Sequence, residues 1–188
     1  MHWTKQLKQR NKELEAEVKR LSAAGTNDFA DLKAAIAEEA VEIDTNKIAN
    51  AFLNQVCIPF NCREDAFIME KGESVRVQPF RFTDGSYKVV DRRMVDRILR
   101  ETQVDAIEWE AEEYDCEDIA RKFVTRCADL GLNSIGRVMS WSGGHAFCVA
   151  VVISGKDIDF LFIEPQTDQI VDVGKGKYSL DNALIVIS

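Results

Sequence analysis

A predicted helix that is followed directly by a series of predicted strands limits the fold of this chain most strongly. Residues 116–130 carry apolar side chains on one helical face, and Gly131 follows at once. Strand-like segments then come in succession, at 134–141, 146–153, 158–163, 169–173 and 183–187. The chain must therefore fold so that one long helix and several short strands share a core.

The region before that helix divides into two parts. Leu7, Leu14 and Leu21 recur every seven residues, which predicts a short coiled-coil-like helix over 1–22 or a single amphipathic helix docked on its own domain. Residues 26–60 predict a helical adaptor segment with two further helices, which Pro59 ends. Short strands at 66–69, 74–80 and 87–90 and a helix at 91–101 then open a domain that spans 61–188.

Charge and composition limit the classes of partner. The chain has 188 residues, of which 46% are hydrophobic, and its net charge of −8 disfavours nucleic acid and anionic membranes. No stretch is apolar enough to span a membrane, and residues 1–20 are charged throughout, unlike a secretory signal. We expect a cytoplasmic protein or one inside a particle, such as a phage particle. Five cysteines and two histidines indicate reduced thiols rather than disulfides or structural zinc.

Cys116 is the candidate nucleophile, because it lies in the first turn of the predicted helix. A helix N-terminus favours the thiolate form of a cysteine, although Cys116 also continues the apolar stripe and could simply be a packing residue. His145 begins one predicted strand and Glu164 ends the next. Cysteine, histidine and carboxylate in this order form a candidate triad.

The turn between these two strands decides how His145 and Glu164 face each other. A two-residue loop at Ser154-Gly155 places His145 directly opposite Glu164. A four-residue loop over 154–157 instead places Glu164 opposite Phe147, on the same face as His145. Either register lets the carboxylate reach the imidazole.

An acidic run precedes and enters the helix. Seven of the eleven residues from 108 to 118 are carboxylates, which usually indicates a solvated loop and helix start. Asp115, Glu117 and Asp118 are also candidate calcium ligands, since paired carboxylates suit Ca²⁺, although the spacing is not that of an EF-hand. No cofactor is expected to be required, and calcium is the candidate ion.

Three ordered motifs carry a resemblance to a known family. They are YDCEDIA at 114–120, GHA at 144–146 and FIEPQ at 162–166. The pattern resembles the papain-like C-terminal domain of the mushroom agglutinin and its small relatives in bacteria and tailed phages, and more distantly the transglutaminase-like cysteine proteases. The resemblance covers about 87–172.

The resemblance implies a papain-like α+β fold, in which the nucleophile helix packs on an antiparallel sheet. It implies that Cys116 is the nucleophile, His145 the general base and acid, and Glu164 the group that orients the imidazole. Because proteolysis by the agglutinin depends on calcium, the resemblance also makes the acidic run a candidate calcium site.

The oxyanion donor departs from the family pattern. Papain-like enzymes have a glutamine several residues before the nucleophile, but Gln103 is thirteen residues ahead of Cys116. Trp109 is the substitute candidate, because its indole N–H can only donate, and its alternative role is core packing.

Together these features predict a cysteine-dependent amide hydrolase or acyl-transferase that acts on a protein or peptide substrate through a Cys-His-Glu triad. The alternative is a non-catalytic structural or adaptor protein, such as a phage virion component. In either case we expect homo-oligomers or particle assembly through residues 1–56.

Overall fold

A computed structural model describes residues 28–60, 62, 66–70, 73–77, 79–107 and 115–188. Its helices are α1 (28–39), α2 (Thr45–Phe52), α3 (Arg92–Thr102) and α4 (Cys116–Asp129), with a π-helical turn at Leu53–Cys57 and a 3-10 turn at Gly176–Tyr178. Its strands are β1 (Val41–Asp44), β2 (Ala66–Glu70), β3 (Glu73–Val77), β4 (Phe80–Phe82), β5 (Ser86–Asp91), β6 (Ile135–Ser140), β7 (His145–Ser154), β8 (Asp157–Glu164), β9 (Gln169–Ile170) and β10 (Ala183–Ile187).

Strand β7 is the centre of the main sheet. It pairs antiparallel with β6 over its first half and with β8 on its other edge, and it pairs parallel with β5 near its end. Strand β10 continues the sheet beyond β6 and pairs parallel with β4. Strands β2 and β3 form a separate hairpin. The main sheet of the described residues is therefore mixed, where the prediction was an antiparallel sheet.

The two faces of the sheet are covered by different helices. Helices α1, α3 and α4 pack on the face to which Ala146, Cys148 and Ala150 of β7 contribute. Helix α2 and the π-helical turn pack on the other face, with Phe147 and Val149. Most of β7 is consequently buried from both sides, which explains why its sequence is an almost unbroken apolar run. The α+β class is confirmed.

The region before β5 combines predicted and unpredicted structure. Asp44 caps α2, since its side chain accepts a hydrogen bond from the Asn46 N–H at 2.8 Å. Residues 41–44, which lie within the predicted helical segment 26–60, form instead strand β1, which pairs antiparallel with β5. Pairing with the sheet edge overrides the helical periodicity here. The coiled-coil-like helix over 1–22 lies outside the described residues, and the division at 1–22, 26–60 and 61–188 stays a prediction.

Candidate functional site

Cys116 begins helix α4, as the sequence predicts. The helix is capped by Asp115, whose carboxylate accepts a hydrogen bond from the Glu117 N–H at 3.0 Å. The thiol is half-buried against the core under α4, and its Sγ accepts a hydrogen bond from the Ala146 N–H at 3.4 Å. Because Ala146 directly follows His145, this contact brings the thiol to the start of β7.

His145 and Glu164 meet in the second of the two predicted registers. Strand β8 pairs with β7 so that Cys148 faces Ile163, which sets Glu164 level with Phe147. The hairpin turn consists of Gly155 and Lys156, and Gly155 has the positive φ of 66° that the first position of a type II′ turn requires. The His145 Nε2 lies 2.6 Å from the Glu164 Oε2.

Glu164 is buried, with 1% of its side chain exposed, and it accepts several hydrogen bonds. Its Oε2 receives bonds from the Lys177 Nζ and the Tyr178 hydroxyl, each at 3.0 Å, in addition to His145. Burial alone would raise the pKa of Glu164, but the hydrogen bonds from His145 and Lys177 outweigh it and lower the pKa to about 2. The group is therefore an anion at neutral pH and can only accept, so the His145 Nε2 must carry the donated proton.

Lys177 and Tyr178 were missed by the sequence analysis. They lie in a 3-10 turn within a stretch that has neither helical nor strand periodicity, so the pattern gave no signal for them. Tyr178 also packs edge-on against the rings of His145 and Phe147, at centroid distances of 5.7 and 5.2 Å. The imidazole of His145 therefore lies between the Tyr178 ring and the Glu164 carboxylate.

The loop between β6 and β7 is tied to the same turn. A Cβ atom on Gly143 would lie 2.3 Å from the Lys177 carbonyl oxygen, so only glycine allows the two backbones to approach this closely. Ser140 accepts a hydrogen bond from the Gly143 N–H at 3.0 Å and donates one to the Ser179 carbonyl at 2.6 Å. This loop fixes where β7, and hence His145, begins.

The other cysteines differ from Cys116 in their surroundings. Cys127 and Cys148 are fully buried, and burial raises the pKa of both thiols. Cys148 packs in the core on the sheet face that α1, α3 and α4 cover. The hydrogen bond between the Cys57 and Cys62 thiols raises the pKa of Cys57 and lowers the pKa of Cys62. All five thiols are free, as predicted.

Two predicted features of the site, the oxyanion donor and the calcium ligands, are not assembled by the residues that the structure describes. Trp109 and the acidic residues at 108–113 lie outside them, so the oxyanion role of Trp109 stays a prediction. Of the candidate calcium ligands, Asp115 caps α4 and Asp118 pairs with Arg121. Within the described part of the chain, no group of three His, Cys, Asp or Glu side chains is arranged to hold a metal ion. Calcium binding also stays a prediction.

A cavity of about 290 Å³ lies apart from these residues, between the π-helical turn and strands β8 and β9. Aromatic side chains, among them Phe60 and Phe160, line it together with polar ones, among them Arg92 and Asp159. Neither Cys116, His145 nor Glu164 contributes to its lining. No helix in the described ranges is long and apolar enough to cross a membrane.

The fold and the site define an α+β domain with a cysteine, a histidine and a buried glutamate at one end of its sheet. The chain matches no protein-family model and no curated protein. Among solved structures, it is similar to a chain described as the PSL1a-E64 complex, with 19% identity and a TM-score of 0.55. That match covers 78% of this chain and 50% of the other.

A second similar structure is described as Polyporus squamosus lectin bound to the human-type influenza-binding epitope Neu5Acα2-6Galβ1-4GlcNAc. It has 18% identity and a TM-score of 0.53, and the match covers 78% of this chain and 49% of the lectin. This chain therefore spans about half the length of the chains it matches. At these identities the likeness shows a shared fold and does not assign a ligand to this chain.

These findings overturn three of the expectations drawn from sequence. The identification as a papain-like cysteine-protease domain is wrong, because one of the structures that share this fold is described as a lectin. The predicted function, an amide hydrolase or acyl-transferase with a structural or virion protein as the alternative, is contradicted by the same finding. The same holds for the description of the chain as a thiol protease or a hydrolase, whereas the coiled coil and the phage origin stay predictions.

Proposed function

We propose that the domain binds an electrophilic ligand at Cys116 and that the site works as a reactive thiol, with Cys116 as nucleophile, His145 as base and Glu164 as the group that orients the imidazole. The function consists of the formation of a bond between the Cys116 sulfur and an electrophilic carbon of the ligand. Hydrolysis or exchange of amide bonds forms no part of it.

One observation carries this proposal. The thiol at the start of α4 is hydrogen-bonded by the Ala146 N–H at 3.4 Å, while the adjacent His145 lies 2.6 Å from a carboxylate that is 1% exposed. A structural cysteine needs neither an N–H donor at its sulfur nor a neighbouring imidazole with a buried anionic partner. Both features are typical of a cysteine whose sulfur acts as a nucleophile.

The chemistry follows from the hydrogen-bond pattern. The Nε2–H of His145 is committed to Glu164, which leaves Nδ1 as the nitrogen that can accept the thiol proton. The positive end of the α4 macrodipole and the Ala146 N–H stabilise the resulting negative charge on sulfur. With an alkyl halide as probe, the sulfur–carbon bond forms, the carbon–halogen bond breaks, and the halide leaves with the electron pair.

The experiment is site-resolved labelling of the folded full chain. Iodoacetamide at low molar excess and pH 7 is expected to carbamidomethylate Cys116, and peptide mass spectrometry reads this label separately from any label on the partly exposed Cys62. E64 is the second probe, because one matched structure is described as its complex. Cys116→Ser is expected to lose both labels.

Cys62→Ser provides the matched control, since Cys62 is also a partly exposed free thiol. This variant should keep the Cys116 label at the wild-type rate. Labelling of Cys116 only after unfolding, or at the rate of the buried Cys127, would overturn the proposal.

Carbohydrate binding is a second candidate. It is favoured by the glycan that the description of one matched lectin names, and by the cavity beside β8 and β9, where aromatic side chains stand next to Arg92 and Asp159. Apolar walls with a few polar groups suit a sugar ring.

Titration of ¹⁵N-labelled chain with Neu5Acα2-6Galβ1-4GlcNAc tests it. Saturable shifts of the amide signals of Phe60, Phe160 and Asp172 are expected, whereas signals from the β10 side should not move. No shift at millimolar trisaccharide would exclude this candidate, and shifts around Cys116 would connect the glycan to the thiol site instead.

A further inference from the structure

We infer that Lys177 and Tyr178 are positioning residues of the Cys116 site, which act by holding the Glu164 carboxylate where it fixes the imidazole of His145. This inference rests on the proposed reactive-thiol function and adds two residues to it. Neither residue contacts the thiol in the structure as described; both act through Glu164.

The geometry concentrates three donors on one oxygen. The Glu164 Oε2 accepts from the His145 Nε2 at 2.6 Å, from the Lys177 Nζ at 3.0 Å and from the Tyr178 hydroxyl at 3.0 Å. The Gln166 N–H reaches the other oxygen, Oε1, at 3.4 Å. With two further donors beside the imidazole, the position of Oε2 is defined even when His145 moves, so the carboxylate serves as a fixed reference for the ring.

Lys177 also stabilises the charged form of the buried Glu164 carboxylate. A carboxylate that is 1% exposed is costly to ionise unless charge and hydrogen bonds compensate for its burial. The groups that face Glu164 are His145 from β7, Lys177 and Tyr178 from the 3-10 turn, and the thiol of Cys148 from the interior. Lys177 is the one permanent cation among them, and its side chain is 52% exposed, so it bridges the buried anion to solvent.

The turn that carries both residues is built to hold them in place. The Gly174 N–H donates to the Tyr178 carbonyl at 2.9 Å, and Gly174 has a positive φ of 105° against the ring of Phe60. The Lys177 carbonyl packs against Gly143 of the loop before β7. Lys177 and Tyr178 are therefore anchored to the same loop that sets the start of β7.

The test measures Glu164 directly, by ¹³C NMR of its carboxyl group as a function of pH. The variants are Lys177→Met, Tyr178→Phe, which keeps the ring and its packing, and Lys177→Arg, which keeps a cationic donor. Each of the first two is expected to raise the pKa of Glu164 from about 2 to about 3, because each removes one hydrogen bond to the charged form. Lys177→Arg is expected to restore most of the wild-type value.

The second readout is the rate of Cys116 alkylation at pH 7. In Lys177→Met and in Tyr178→Phe the rate should be lower than in wild type, because a carboxylate held by fewer donors fixes the imidazole of His145 less well, and Lys177→Arg should restore most of the rate. Lys175→Met is the matched control: Lys175 is an exposed lysine two residues before Lys177, and its replacement should leave both readouts unchanged.

The outcomes separate the two proposals. If Cys116 of the wild type is alkylated no faster than the buried Cys127, the proposed function fails, whatever the variants do to the pKa of Glu164. If wild-type Cys116 is activated but the pKa of Glu164 and the alkylation rate at pH 7 stay the same in Lys177→Met and Tyr178→Phe, the positioning role alone is overturned. Equal effects of Lys177→Met and Lys175→Met would reduce Lys177 to a general surface charge.

Discussion

At the scale of single residues, Glu164 gives the clearest pH dependence. Its pKa in the folded chain, about 2, lies below the ordinary 4.5, so its carboxylate stabilises the fold above pH 4.5 and this contribution is lost as the pH falls toward 2. We expect Glu164→Gln to lower the free energy of unfolding by about 3 kcal/mol at pH 7.

Urea denaturation between pH 2 and 7 checks this prediction. The difference between wild type and Glu164→Gln should be largest above pH 4.5 and should shrink toward pH 2. Asp157→Asn, at an exposed carboxylate of the same strand, serves as the control and should change stability by less than about 0.5 kcal/mol. A difference that does not vary with pH would contradict the assigned role of the carboxylate.

Asp168 is expected to affect the pH dependence of stability in the opposite direction to Glu164. Burial, followed by repulsion from Asp105, raises its pKa to about 6, and its Oδ1 has no hydrogen-bond partner among the described residues. The charged form therefore costs stability as the pH rises through 6. Asn also tolerates the left-handed φ of 52° at this position.

We expect Asp168→Asn to stabilise the fold at pH 7 by about 1 kcal/mol, a figure reduced for the partial solvent exposure of the group. The gain should disappear below pH 4, where Asp168 is protonated in both states. Thermal unfolding at pH 4 and pH 7 measures it, and destabilisation at both pH values would show that the carboxylate has a bonding role instead.

At the scale of secondary-structure elements, the start of helix α4 depends on its cap. Asp115→Ala removes the acceptor for the Glu117 N–H and should lower the free energy of unfolding by about 1 kcal/mol. Asp115→Ser, which can still cap the helix, should restore most of this loss. Urea denaturation of the two variants is the measurement, and equal stability of Ala and Ser variants would contradict the capping role.

The second prediction at this scale concerns the loop before β7, where Gly143 packs against the Lys177 carbonyl. In Gly143→Ala the new methyl group would lie 2.3 Å from the Lys177 carbonyl, so either the loop or the 3-10 turn must shift. We expect a loss of about 2 kcal/mol or more of stability and slower alkylation of Cys116. Gly85→Ala is the matched control, because a Cβ atom there has open space.

The elements of the second half of the chain could be read from sequence, because helix α4 and strands β6 to β8 have long, strongly apolar patterns and clear turn residues. The register of β7 and β8 could not, since the Ser154-Gly155 turn allowed two registers and only the backbone at Gly155 distinguishes them. Strand β1 was missed because four residues carry too little periodicity to outweigh a neighbouring helical pattern.

At the scale of the whole molecule, the parallel pairings were also beyond sequence reasoning. Strand β10 pairs with β4 across about a hundred residues of chain, and no local pattern reports such a contact. The positions of Cys116, His145 and Glu164 at one end of the sheet could be predicted, because each residue begins or ends a strongly patterned element. Lys177 and Tyr178 could not, because they reach the site from an irregular turn.

The error in the predicted function has a different origin. Three short motifs determine which side chains meet at the end of the sheet, but they do not determine what the site acts on. One matched structure is described as a lectin, and the likeness covers about half of the length of both matched chains, so that description does not assign a ligand to this domain.

The alkylation rate of Cys116 from pH 5 to 9, in wild type and in His145→Ala, tests the central claim most directly. Cys127, fully buried, provides the internal reference in the same peptide map. An activated site predicts rapid modification of Cys116 at pH 6 in wild type and a rate at least tenfold lower without His145. A rate at Cys116 that rises only near the pH of an ordinary thiol, and that His145→Ala leaves unchanged, would mean that Cys116 is a packing residue and would contradict the account.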